Sequence, residues 1–215
     1  DPESQEVRDI NSSAVRLLRQ IHGVRYIAGS VGPSTDTLQE YSMTPGAGVD
    51  KEHLYHVFTE QIQALKEGGV DLIILETFIC FEEVEQALRA AKDLEMTTAV
   101  SLAFDDNCRT EAYGTTVDQL ASLKDADIVG LNCGVISLPT AVELISDLRR
   151  ASSKPLWVKL NAGPPGQPDQ YAGPEEFAGY GIEFIEQGAS LIGGCCGTTP
   201  EHIKALKYVV DVYNT

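Results

Sequence analysis

The stretch Ser190-Leu-Ile-Gly-Gly-Cys-Cys-Gly-Thr-Thr-Pro-Glu-His-Ile203 holds one unit of the fold in miniature. Ser190–Gly193 reads as a short strand, and Ile203, Leu206 and Val210 continue beyond it as an apolar helical stripe. Between them, Thr199-Pro200 supplies a hydroxyl N-cap followed by proline at the first helical position, where the missing N–H is not needed.

The same strand-then-helix order recurs upstream. Tyr26–Ser30, Leu72–Glu76, Thr97–Phe104, Ile128–Asn132 and Leu156–Leu160 are short apolar, β-branched runs. Strands without apolar–polar alternation predict a parallel sheet covered on both faces. Helical stripes follow at Leu54, Phe58, Ile62 and Leu65, at Val84, Leu88 and Ala91, at Val142, Ile145 and Leu148, and at Phe177, Phe184 and Ile185. Asp50 is the expected N-cap of the first of these, and Gly68-Gly69 its stop. Val7, Ile10, Ala14, Leu17, Leu18 and Ile21 predict a further helix ahead of the first strand. Gly163–Pro174 reads as a long βα loop rather than a linker, so residues 1–215 form one α/β domain with a leading helix and six βα units. Periodicity leaves two windings open: a doubly wound sheet, or most of an eight-unit barrel without its first two strands.

Composition narrows the partners. Acids outnumber bases 32 to 16, for a formal charge of −16, and only Arg149 and Arg150 stand side by side among the cations. That pattern argues against nucleic acid and against an anionic membrane surface, and it leaves uncharged or cationic small molecules. No apolar run approaches the roughly 18–20 residues that span a bilayer, and no signal peptide is evident, although the chain begins at Asp1 rather than Met. Five cysteines include the adjacent pair Cys195-Cys196, an awkward geometry for ordinary disulfides. A reducing, cytoplasmic setting is expected, which also speaks against use of the sequon Asn11-Ser12-Ser13.

In a parallel α/β protein the C-terminal strand ends share one rim, where active sites sit. Here they carry Ser30, Glu76 and Thr77, Ser101 with Asp105 and Asp106, Asn132 and Cys133, Asn161, and Cys195 and Cys196. Thiolate is a soft ligand, and three cysteines would leave one position of a zinc tetrahedron open, as catalytic sites do. The spacing matches no finger pattern, so buried structural thiols or a redox pair stand beside zinc as readings of the residues alone.

Several segments resemble the homocysteine S-methyltransferase family: Gly29-Ser-Val-Gly-Pro33, Gly68-Gly-Val-Asp71, Leu75-Glu-Thr-Phe78, Gly130-Leu-Asn-Cys-Gly134, Asn161-Ala-Gly-Pro164 and Gly193–Ile203. The resemblance runs from about Tyr26 to the C-terminus, with Gly-Gly-Cys-Cys-Gly its most specific element. It implies a (β/α)8 TIM barrel and Zn2+ held by Cys133, Cys195 and Cys196. It further implies methyl transfer to the thiolate of homocysteine or a related thiol, giving methionine. Glu76 falls where a family glutamate meets the homocysteine amino group; a solvated strand-end acid is the plainer reading. Ser30 and Asn161 are candidates for the same substrate rim, or for satisfying loop backbone groups. Asn132 is expected to support a neighbouring ligand or to serve the structure. The donor (betaine, S-methylmethionine, S-adenosylmethionine or methylcobalamin) is not legible.

Other residues take plainer readings. His53 and His56 belong to a solvated helix face, His202 to the first turn of the last helix, and Cys80 and Cys108 are free thiols. The family's first two strands, including an Asp-Gly turn, have no counterpart before Tyr26. Unpaired strand edges invite association, so a second copy, a partner or an N-terminal segment is expected to close the barrel. The alternative function is a catalytically incomplete zinc-binding or partner-binding module of the same fold.

Overall fold

A computed structural model describes residues 2–34 and 50–214. The elements run α1 (Pro2–Leu18), β1 (Ala28–Val31), α2 (Lys51–Gly68), β2 (Leu72–Phe78), α3 (Phe81–Asp93), β3 (Thr98–Leu102) and α4 (Val117–Ser122). They continue with β4 (Ile128–Asn132), α5 (Leu138–Ala151), β5 (Leu156–Leu160), α6 (Pro174–Glu186), β6 (Ala189–Gly194) and α7 (Pro200–Tyr213).

All six strands are parallel and lie in the order β1-β2-β3-β4-β5-β6. That order settles the winding. A doubly wound sheet reverses its strand order at a switch point, whereas here each strand pairs only with its sequence neighbours, as in a barrel. The result is a half-barrel with helices outside it. Among the described residues, β1 and β6 each pair on one side only.

Sequence dictates which face each strand residue takes. A Cβ on Gly29 would lie 3.0 Å from Leu65 of α2, so Gly29 faces the helices and Ser30 faces the concave side. The outer layer is the core. Phe58, Ile62 and Leu65 of α2, Val84 and Leu88 of α3, and Leu144, Ile145 and Leu148 of α5 cluster with Ile73, Leu75, Val100, Leu102, Val129, Leu131 and Val158 from the strands. Each such side chain, once buried, contributes about 1.5–3 kcal/mol.

The expected caps are present. Asp50 accepts from the His53 backbone N–H at 3.0 Å, and Gly69, at φ 90°, turns the chain out of α2 by donating to Leu65 and Lys66. At α7, Nδ1 of His202 accepts from the Thr199 backbone N–H at 3.1 Å, so this histidine does serve the first turn.

Two features go beyond the sequence expectation. The leading helix forms, but most of its apolar positions stay outside the core: Ile10, Leu17, Leu18 and Ile21 are exposed, and among its described side chains only Val15 is buried. The chain after α1 is held by polar contacts instead. Arg19 donates to the Gly69 carbonyl at 2.6 Å and to Asp71, which also accepts from the Ile27 backbone N–H at 2.7 Å. Helix α4 had no apolar stripe to announce it, because six residues are too few to show a period. Its signal was the capping box formed by Thr116 and Gln119. No helix among the described residues is long and apolar enough to cross a membrane.

Candidate metal centre and its rim

Cys133 directly follows β4, and its backbone N–H donates to the Lys159 carbonyl at 3.0 Å, extending the ladder by one residue. The chain then turns sharply. Cys133 and Gly134 both take positive φ, 53° and 72°. A Cβ on Gly134 would lie 2.2 Å from the Phe104 carbonyl oxygen, so no other residue fits this turn without displacing backbone. Asp106 pins the far end of the loop by accepting from the Ser137 backbone N–H at 2.7 Å, which holds its carboxyl below the usual range.

The second loop leaves β6. The Cys195 N–H donates to the Leu160 carbonyl at 2.8 Å, and the Cys195 carbonyl accepts from the Thr198 hydroxyl at 2.7 Å. Gly197 then reverses the chain at φ 77°, with the Tyr171 ring packed where a Cβ would stand.

Asn161 lies between the two loops and is buried. Its Nδ2 donates to the Gly134 carbonyl at 2.8 Å, and its Oδ1 accepts from the Cys196 backbone N–H at 3.0 Å. One side chain therefore sets the spacing of the loops that carry all three rim cysteines. Both of its polar ends are engaged with backbone.

The Sγ atoms of Cys133, Cys195 and Cys196 all lie within 4.8 Å of one another, and Cys133 and Cys196 are 3.8 Å apart. A disulfide needs about 2.05 Å. A tetrahedron with zinc–sulfur bonds of about 2.3 Å has sulfur–sulfur edges of about 3.8 Å. The trio thus has the ligand chemistry of a three-thiolate metal site, and its Cys133–Cys196 edge has the length of one. Its electrostatics agree. A hydrogen bond from Cys195 pushes the Cys133 thiol down, while giving that bond, burial and the Cys133 charge push Cys195 up. One thiolate forms readily and further ones repel it, a conflict that a divalent cation removes.

Across the concave face, Glu76 accepts from the Ser30 hydroxyl at 2.6 Å on Oε1 and from the Lys159 ammonium at 2.5 Å on Oε2. Asn132 brackets the next residue, accepting from the Thr77 N–H and donating to the Thr77 hydroxyl, both at 2.8 Å. Thr77 is held there at φ 69°, fixing the end of β2 beside Glu76.

Lys159 was not among the residues singled out from sequence. Its signal was visible: a lysine within Leu-Trp-Val-Lys-Leu is the only charge in an otherwise apolar strand. Other residues stay apart from the site. Cys80 is a buried free thiol at the start of α3, and Cys108 is likewise free. His56 lies exposed beside Glu52 at 3.5 Å.

Comparison with known proteins agrees with this arrangement. A family model described as homocysteine S-methyltransferase matches residues 2–210. Homocysteine S-methyltransferase YbgG of Bacillus subtilis (strain 168) is 30% identical over 191 residues, 84% of this chain; the chain spans 60% of that protein's length. The homocysteine methyltransferase MmuM of Escherichia coli, in its apo form, superposes with a TM-score of 0.74 at 25% identity, over 96% of this chain and 74% of that one. Its metallated form gives the same TM-score and identity over 94% and 70%. With the family model matching residues 2–210 and the fold in agreement, this chain belongs to the homocysteine S-methyltransferase family.

Proposed function

We propose that this protein methylates the thiol of homocysteine, giving methionine, at a zinc ion held by Cys133, Cys195 and Cys196. The observation that carries the reading is the convergence of three thiols from two strand ends within 4.8 Å, on the rim of a chain of this family. A metallated form exists for MmuM, which lends the metal further support. Zinc would supply Lewis acidity, lowering the pKa of a thiol brought to it so that the thiolate is present at neutral pH.

The chain's own residues do the rest. Asn161 keeps the two cysteine loops at fixed spacing, so the thiols need little reorganisation. Glu76 presents a carboxylate to the substrate ammonium, and the Ser30 hydroxyl orients that carboxylate. The substrate sulfur attacks the donor methyl carbon. A sulfur–carbon bond forms, and the bond from methyl to donor breaks with its electron pair leaving on the donor. Holding the nucleophile in line at the rim is the residues' contribution to rate. The donor is an onium compound or a methylcorrinoid. Five free thiols support a reducing, cytoplasmic setting.

The one-sided pairing of β1 and β6 among the described residues favours a second reading, a zinc-binding module whose edges dock a partner or second copy without turnover. Metal analysis after reducing purification tests the shared part: about one zinc per chain is expected, and none after reconstitution overturns both readings. Methionine formation from homocysteine with a panel of methyl donors then decides between them. Sedimentation shows whether a second copy covers the edges.

A further inference from the structure

A lysine–glutamate pair within a barrel is costly to the fold, because desolvation offsets most of the attraction and apolar side chains of similar volume serve stability as well. Here the pair is well shielded, at 23% exposure for the Lys159 side chain and 15% for Glu76. Its position ties it to the thiol rim on both sides. The Lys159 carbonyl accepts from Cys133, and its stem runs past Gly193, where a Cβ would lie 3.2 Å from the lysine Cγ. A glycine two residues before Cys195 thus leaves room for this side chain. An ammonium has three donors, and among the described residues only Glu76 takes one of them.

We propose that Lys159 is a specificity-determining residue that binds the α-carboxylate of the thiol substrate. The proposal rests on the homocysteine reading above. Homocysteine ends in an ammonium and a carboxylate on one carbon. Glu76 and Lys159 are the matching pair of opposite charges beside the thiols, so a zwitterion can exchange one internal ion pair for two intermolecular ones. No net charge is buried in doing so. A thiol with only an amine meets a Glu76 already neutralised by Lys159, and a thiol with only an acid meets a Lys159 already paired with Glu76. The pair therefore selects amino-acid thiols over simpler ones.

The test is calorimetric binding of three thiols to the zinc-loaded protein and to Lys159→Gln and Lys159→Arg variants. The thiols are homocysteine, its decarboxylated analogue and its deaminated analogue. Lys159→Gln is expected to weaken homocysteine about 10- to 100-fold, as loss of a charged hydrogen bond does. The same change leaves the decarboxylated analogue unchanged or tighter, because Glu76 is released from its partner. Lys159→Arg keeps most of the homocysteine affinity. Equal weakening of homocysteine and the decarboxylated analogue marks a purely structural role and overturns the proposal, as does unchanged homocysteine binding. Zinc content and melting temperature check that each variant is folded. If Lys159→Gln does not fold, the arginine variant and the ranking of the three thiols on the wild type carry the test: a wild type that binds the decarboxylated analogue as tightly as homocysteine overturns the proposal. Failure of the wild type to bind homocysteine overturns the functional reading as well.

Discussion

Cys80 and Cys133 leave neighbouring regions of one parallel sheet at the same rim, two residues after β2 and one after β4. Their fates diverge because of what surrounds them. Cys80 is buried at the head of α3, with Glu82 and Glu83 beside it, and burial pushes its thiol up to about 11. Cys133 is half-buried, turned by a positive φ toward two further thiols, and pushed down by a hydrogen bond from one of them. The same residue type is inert filler in one place and ligand material in the other. What separates them is company rather than chemistry: a thiol among acids stays protonated, and a thiol among thiols at metal-binding distance is a site.

The largest expected break of this contrast is loss of the metal. Cys196→Ala or Cys133→Ala should take bound zinc from about one per chain to near none, whereas Cys80→Ala should leave it unchanged by elemental analysis. A zinc content insensitive to Cys196 would remove the trio from the site. Next is the turn that aims Cys133. Gly134→Ala drives a Cβ into the Phe104 carbonyl at positive φ and should cost about 2–5 kcal/mol in denaturant unfolding. Alkylation of metal-free protein at pH 8 should sharpen the comparison. At a pKa of about 11, Cys80 is thiolate to about one part in a thousand, so peptide mapping should find Cys133 modified at least about 100-fold faster. Equal rates would show that burial and company do not govern these thiols.

Asn161→Ala leaves every ligand in place but frees the two loops, and should weaken zinc about 10- to 100-fold in competition with a chelator. The smallest effect concerns an anion the protein satisfies by itself. Asp71 is held below its usual pKa by the Ile27 backbone N–H and by Arg19. Its contribution is therefore full above the unfolded value of about 3.9 and is lost as pH falls through the lower folded one. Melting curves of Asp71→Asn should run parallel to wild type in acid and fall below it above about pH 4. A constant offset at all pH values would deny the carboxylate that role.

Much of the fold was legible in local pattern. Six apolar runs announced six strands, Gly69 stopped α2, and Thr199-Pro200 opened α7. The rim cysteines and Glu76 were legible because polar residues at the ends of buried strands have few structural reasons to be there. The pairing of Lys159 with Glu76 and the bridging role of Asn161 were not. Lys159 and Glu76 are 83 positions apart, and their meeting depends on the register of intervening strands. Helix α1 shows the opposite failure. Its apolar spacing was real, yet a period does not say which residues meet a neighbour: Val15 packs on Gly68 of α2, while Ile10 and Leu17 stay exposed.

The sequence by itself determined the six strands, every helix except the short α4, several of the caps, and which ligand chemistries reach the rim. These follow from local torsional preference, capping and burial pattern, which act within a few residues. The tertiary structure alone decided the sequential winding, the 3.8 Å approach of Cys133 to Cys196, and the pairing of Glu76 with Lys159. Those depend on which strands lie side by side and in what register, and parallel strands are joined through helices whose pattern carries no record of either.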